Sequence, residues 1–194
     1  MKAIFLDIET TGLDPGRHKC VDIAFKIVQV ETDEVLTSYA SIVRQPKELW
    51  EMHDPMSVRV NGFNWELIQL GKEPDLVSIE IKKAFTDQKI KRGEAVFVCQ
   101  NPSFDRGFFN HLVPVDEQER MNWPYHWLDL ASMFWMMRVL KARENKGTFP
   151  TEMELSKDAI AKYYGVPPEQ KPHRALNGVN HLLECYMELI KSGF

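Results

Sequence analysis

Ala3-Ile4-Phe5-Leu6-Asp7-Ile8-Glu9-Thr10-Thr11-Gly12 opens the chain with an apolar run that ends in two acids and a turn. The run reads as a buried strand. Side chains alternate faces along a strand, so Asp7 and Glu9, two residues apart, project the same way. Two like charges side by side are costly unless a cation lies between them. A strand that ends in Asp-x-Glu and turns through Thr-Thr-Gly therefore reads as half of a divalent-metal site.

Working outward, residues 20–30 and 35–43 form two β-branched runs, with Glu31-Thr32-Asp33-Glu34 as the hairpin turn between them. Three early strands are expected. Residues 75–91, with Leu76, Ile79, Ala84 and Phe85 among charges, predict an amphipathic surface helix. Residues 95–99 read as a short apolar strand. Asn101-Pro102-Ser103 starts a helix that stops near Pro114. Asp129 is placed to cap a helix to about Leu140, apolar on all sides over residues 130–137 and so expected to be buried. A helix over residues 155–164 is closed by Gly165 and Pro167. The last helix follows Pro172-His173, with Leu176, Val179, Leu183, Met187 and Ile190 at helical spacing. Strands followed by helices interleaved with short strands indicate an α/β sheet with covered faces.

A chain of 194 residues fits one domain with a sizeable core. No apolar run reaches the length of a membrane span, so no membrane partner is expected. The first strand begins almost at Met1, which leaves no room for a signal peptide and makes cytoplasm the expected location. Cys20, Cys99 and Cys185 lie far apart and are expected to be buried thiols. The net charge of −4 counts against a large basic surface for long nucleic acids. It leaves room for a nuclease, whose bound cations offset an acidic site locally.

Two further signals stand out. Asn101-Pro102-Ser103-Phe104-Asp105-Arg106-Gly107-Phe108 places Asp105 in the first turns of a helix that starts at a strand end, where open α/β sheets put ligands. Pro172-His173-Arg174-Ala175-Leu176 places His173 at the start of the last helix. Together with residues 7–13, these motifs resemble the DnaQ-like 3′–5′ exonucleases with a catalytic histidine, of the ribonuclease H-like fold. The resemblance runs from one end of the chain to the other, with the motifs in family order. It implies a three-layer α/β fold with a central mixed five-stranded sheet flanked by helices, and a single exonuclease domain over residues 1–194. Asp129 matches a frequent family aspartate, and helix capping explains it equally well.

The resemblance also implies a chemistry. Two divalent cations, Mg²⁺ or Mn²⁺, would clamp the scissile phosphate, with Asp7, Glu9 and Asp105 as ligands, since hard oxygen donors suit these ions. His173 would act as general base on the attacking water, a task for which a histidine's ordinary pKa near 6.5 is suited. The partner would be the 3′ end of single-stranded or short DNA or RNA, and the product a nucleoside 5′-monophosphate. The backbone at Thr10, Thr11 and Gly12 would approach the terminal nucleotide, Leu13 would wedge against its base, and Phe104 would stack on a base. Asn61 stands where many relatives carry a histidine near that nucleotide. A homodimer is compatible with the family. The five tryptophans are scattered, and packing is the simpler account of most of them.

The pattern breaks at one place. The family carries an aspartate five positions after the histidine, and this chain has Gly178 there. Asn177 is an uncertain replacement ligand, one helical position or about 100° away. With three carboxylates instead of four, metal affinity is expected to fall, for the second ion or for both. An exonuclease of reduced activity is one reading. A pseudo-exonuclease that binds nucleic acid or a protein is the alternative, and a structural cation site is a third.

Overall fold

The opening run forms the centre of the molecule. In the computed structural model, which describes residues 1–144, 148–151 and 153–192, strand β1 (Lys2–Thr10) is paired on both sides. On one side lies β2 (Cys20–Gln29), antiparallel, followed by β3 (Glu34–Ile42), antiparallel to β2. On the other side lie β4 (Ala95–Cys99) and β5 (Trp127–Asp129), both parallel. The sheet order is β3-β2-β1-β4-β5. This is the mixed five-stranded sheet that the resemblance implies.

Nine described helices complete the chain. Between β3 and β4 come α1 (Lys47–Trp50), α2 (Pro55–Asn61), α3 (Trp65–Gln69) and α4 (Pro74–Asp87). After β4 come α5 (Pro102–Leu112) and α6 (Val115–Arg120). After β5 come α7 (Leu130–Arg143), α8 (Lys157–Tyr164) and α9 (Ala175–Lys191).

The two-residue period of β1 sorts its side chains into two cores. Ile4, Leu6 and Ile8 pack with Phe25, Phe85, Phe97, Phe108 and Trp123 under α4 and α5. Ala3 and Phe5 pack on the other face with Phe134, Ile160, Val179 and Leu182 from α7, α8 and α9. Each fully buried Phe or Leu contributes about 2 kcal/mol, so the two faces fix the strand's register firmly. Asp7 and Glu9 share parity with Ala3 and Phe5. They therefore face the α8–α9 layer at the end of the strand.

Four expectations shift. In α4 the buried face is Val77, Ile81 and Phe85, while Leu76 and Ile79 are exposed. In α7 only Leu130, Phe134 and Met137 are buried, and Trp135 and Met136 face solvent. In α9 the core face is Ala175, Gly178, Val179, His181, Leu182 and Cys185; of the predicted stripe only Val179 is buried, and Leu176 and Ile190 are exposed. Ser156 caps α8, its Oγ accepting from Ala159 N at 3.2 Å, so that helix starts at Lys157 rather than at residue 155. The three cysteines are free and buried. Among the described residues no helix is long and apolar enough to cross a membrane.

Candidate active site

A cavity of about 350 Å³ opens where β1 ends. Asp7 and Glu9 reach it from β1, Asp105 from the first turn of α5, and His173 from the residues before α9. The four residues singled out by sequence thus line one space. Local structure explains each arrival. Asn101 adopts φ 59° before α5, and Asp129 Oδ1 accepts its N–H at 3.1 Å, which anchors the helix that carries Asp105. Asp129 also caps α7 by accepting from Ala131 N and Ser132 N. His173 N donates to Val60 O at 3.3 Å, and Ala175 N donates to Asp22 Oδ2 at 3.0 Å, which ties the start of α9 to β2.

The charges are under pressure. Burial pushes the Glu9 carboxyl up to about 8, with help from the charges of Asp7 and Glu169. Burial, and next the Asp7 charge, raise Asp105 well above the carboxylate range. Asp7 is raised by burial as well, partly relieved by Lys157. Carboxyls that hold protons this strongly in a cavity are poised to exchange them for a cation.

Two residues that sequence reasoning missed complete the site. Lys157 Nζ lies 3.2 Å from Asp7 Oδ1, 2.9 Å from Glu169 Oε2 and 3.3 Å from the Gly178 carbonyl. Glu169 is buried and lines the same cavity, and its Oε1 has no hydrogen-bond partner. The nearest ring nitrogen, His173 Nδ1, is 3.5 Å from that oxygen. Glu9, Glu169 and His173 offer ligand atoms within 4.8 Å of one another. Glu169, with Glu154 and Asp158, thus adds carboxylates to the three expected, and Glu169 comes from the segment before the histidine instead of the helix after it. Its signal was its place four residues before His173 in a proline-flanked stretch. Lys157 carried no signal, since a lysine in the first turn of an amphipathic helix reads as solvated surface.

Gly178 backs directly onto Asp7. A Cβ there would lie 2.1 Å from Asp7 Oδ2. Asn177 does not line the cavity of Asp7, Glu9 and Asp105; it lines a second one with Glu169, Asn180, His181 and Glu184. Of the expected substrate residues, Leu13, Thr10, Asn61 and Phe104 line an adjoining cavity of about 280 Å³. Leu13 is 74% exposed there, so it is no core residue. Asn61 is occupied in the fold: its Nδ2 donates to Thr10 O and its Oδ1 accepts from Phe63 N. Thr11 accepts from Lys19 N, and the space above Gly12 is filled by the His18 ring, so these two line neither cavity.

Comparison with known proteins agrees with this arrangement. The RNase T family model, described as Exonuclease, matches residues 4–186. The chain belongs to this exonuclease family. Among curated relatives, the oligoribonuclease of Aliivibrio fischeri is 24% identical over 171 residues, covering 83% of this chain and 92% of that protein. The oligoribonuclease of Bordetella pertussis is 23% identical over 185 residues, covering 94% and 96%. Solved structures share the fold. E. coli Exonuclease I in complex with a dT13 oligonucleotide superposes with a TM-score of 0.76 at 16% identity, over 98% of this chain and 41% of that one. The nuclease domain of 3′hExo, a DEDDh family member bound to rAMP, gives 0.70 at 11% identity, over 99% and 92%. Cell-death related nuclease 4 gives 0.73 at 14%, over 99% and 64%. The present exonuclease thus has the ribonuclease H-like fold, and its chemistry is nucleic-acid hydrolysis. Divalent metal ions are general to the family, and the donor set here fits them: oxygen-rich, buried, with an unpartnered carboxylate oxygen at its wall.

Proposed function

We propose that residues 1–194 form a single 3′–5′ exonuclease domain that shortens single-stranded or short nucleic acid to nucleoside 5′-monophosphates. The observation that carries this reading is the convergence of Asp7, Glu9, Asp105 and His173 on one cavity that adjoins an exposed apolar one. Glu9 and Asp105 would hold Mg²⁺ or Mn²⁺, and Asp7, the third expected ligand, is engaged by the Lys157 ammonium. When bound, such ions supply an activated water and positive charge for the scissile phosphate. His173 would take a proton from the attacking water as its oxygen bonds to phosphorus; the bond to the 3′-oxygen of the preceding nucleotide would break, and that oxygen would take a proton from solvent. Leu13 and Phe104, with Met56 and Val60, receive the terminal base on an apolar surface. The three buried free thiols suit a reducing cytoplasm.

A 5′-labelled strand of a few nucleotides, incubated with the protein and Mn²⁺, tests this. Stepwise shortening from the 3′ end is expected. Removing the base with His173→Ala should slow the reaction by about a hundredfold or more. A second reading, a binding module without cleavage, draws on the Lys157 ammonium already seated between Asp7 and Glu169. Retention of the strand without shortening would decide for it.

A further inference from the structure

The pairing of Lys157 with Glu169 changes what the carboxylates can hold. Lys157 Nζ directs its three donors at Asp7 Oδ1, Glu169 Oε2 and the Gly178 carbonyl, all between 2.9 and 3.3 Å away. The ammonium already engages the two oxygens, Asp7 Oδ1 and Glu169 Oε2, that an ion bridging these residues would need. Asp7 Oδ2 is turned against Gly178, where a Cβ would stand only 2.1 Å away. One cation position beside Asp7 is thus filled by the protein itself. Glu9 and Asp105 also line the cavity, and the second oxygen of Glu169 lies behind its surface. That oxygen, Oε1, is buried, unpartnered and beside His173. A buried acceptor without a donor is costly, more so when charged, unless something binds it. Glu9, Glu169 and His173 already stand with ligand atoms within 4.8 Å.

We propose that Glu169 and Lys157 rebuild the cation site around Gly178: Glu169 supplies the fourth carboxylate and holds one divalent ion with Glu9, while the Lys157 ammonium permanently occupies the second cation position against Asp7. The inference rests on the exonuclease reading for the purpose of that site. The loss of the aspartate at 178 and the presence of the lysine are then one change: Gly178 gives Asp7 room to lean back, and its carbonyl takes one of the ammonium's protons.

The test counts ions in the full chain without substrate, by Mn²⁺ titration followed by electron paramagnetic resonance. Wild type should bind one Mn²⁺ per chain. Lys157→Met, of similar length without charge, should bind two, and Lys157→Arg, which keeps the charge, should stay at one. Glu169→Gln should weaken the single site by about tenfold or more. Circular dichroism confirms that each variant is folded. Two ions in wild type or in Lys157→Arg, or unchanged affinity in Glu169→Gln, overturn the inference. The count does not depend on cleavage. A chain that binds one ion and shortens no strand supports this inference and counts against the exonuclease reading. A chain that shortens strands while binding two ions overturns this inference alone.

Discussion

A single methyl group at Gly178 sets helix propensity against a carboxylate. Ala is better than Gly inside a helix by about 1 kcal/mol. Here the added carbon would meet Asp7 Oδ2 at 2.1 Å and Cγ at 2.5 Å, and Asp7 is short and held by Lys157. Displacing it loses a charge-assisted hydrogen bond in a buried place, worth about 1.5–3 kcal/mol. The clash wins. Gly178→Ala should lower stability by about 1 kcal/mol net, measured by urea denaturation, where a surface helix glycine would gain. Legibility at this scale divides by distance along the chain. Asp7 and Glu9 were readable because two-residue spacing on a strand fixes a shared face. Asp105 and His173 were readable through motifs. Lys157 and Glu169 meet Asp7 across 150 and 162 positions, and no local pattern carries such a pairing.

At the scale of elements, α9 depends on a cap borrowed from β2. Its own N-terminal residue, Arg174, makes no side-chain cap, and Asp22 Oδ2 accepts the Ala175 N–H instead. Asp22→Ala should therefore cost about 1–2 kcal/mol and loosen the turn that carries His173, while Asp22→Asn keeps an acceptor and loses less. Comparing the two variants in thermal melts and in strand cleavage checks this. The elements were legible where pattern and length agreed, as in β1, β2, β4 and α5. The faces of α4 and α9 were misplaced because both helices carry apolar residues on two adjacent stripes, and only the packing against the sheet selects one. The four-to-seven-residue helices α1, α2, α3 and α6 are too short for a periodic signal. β5 has three residues, and its stability comes from pairing with β4 and from Trp127 stacked on Phe97 at 4.0 Å.

At the scale of the whole molecule, the buried carboxyls link stability to pH. Glu9 is raised from 4.5 to about 8 and Asp22 from 3.8 to about 6, both chiefly by burial. Between those limits the folded chain holds protons that the unfolded chain has released. Stability is then full below about pH 4.5 for Glu9 and is lost as pH rises towards 8. The metal-free protein should lose several kcal/mol over that window, since one pKa unit is worth about 1.4 kcal/mol, with a drop of several degrees or more in Tm. Saturating Mn²⁺ should flatten the slope, because the ion takes the place of the protons. Calorimetry at a series of pH values, with chelator and with Mn²⁺, measures both curves.

Phe104 stands in the wall between the two cavities, with one side on the carboxylates and the other on the apolar surface beside Leu13. On the proposed function, ring recognition and phosphate chemistry would fall in two adjoining cavities that share Ile8, Glu9 and Phe104. An abasic 3′ terminus presents sugar and phosphate without the ring. On such a terminus KM should rise about tenfold, the worth of one lost stacking contact, while kcat stays within about twofold of the ordinary strand.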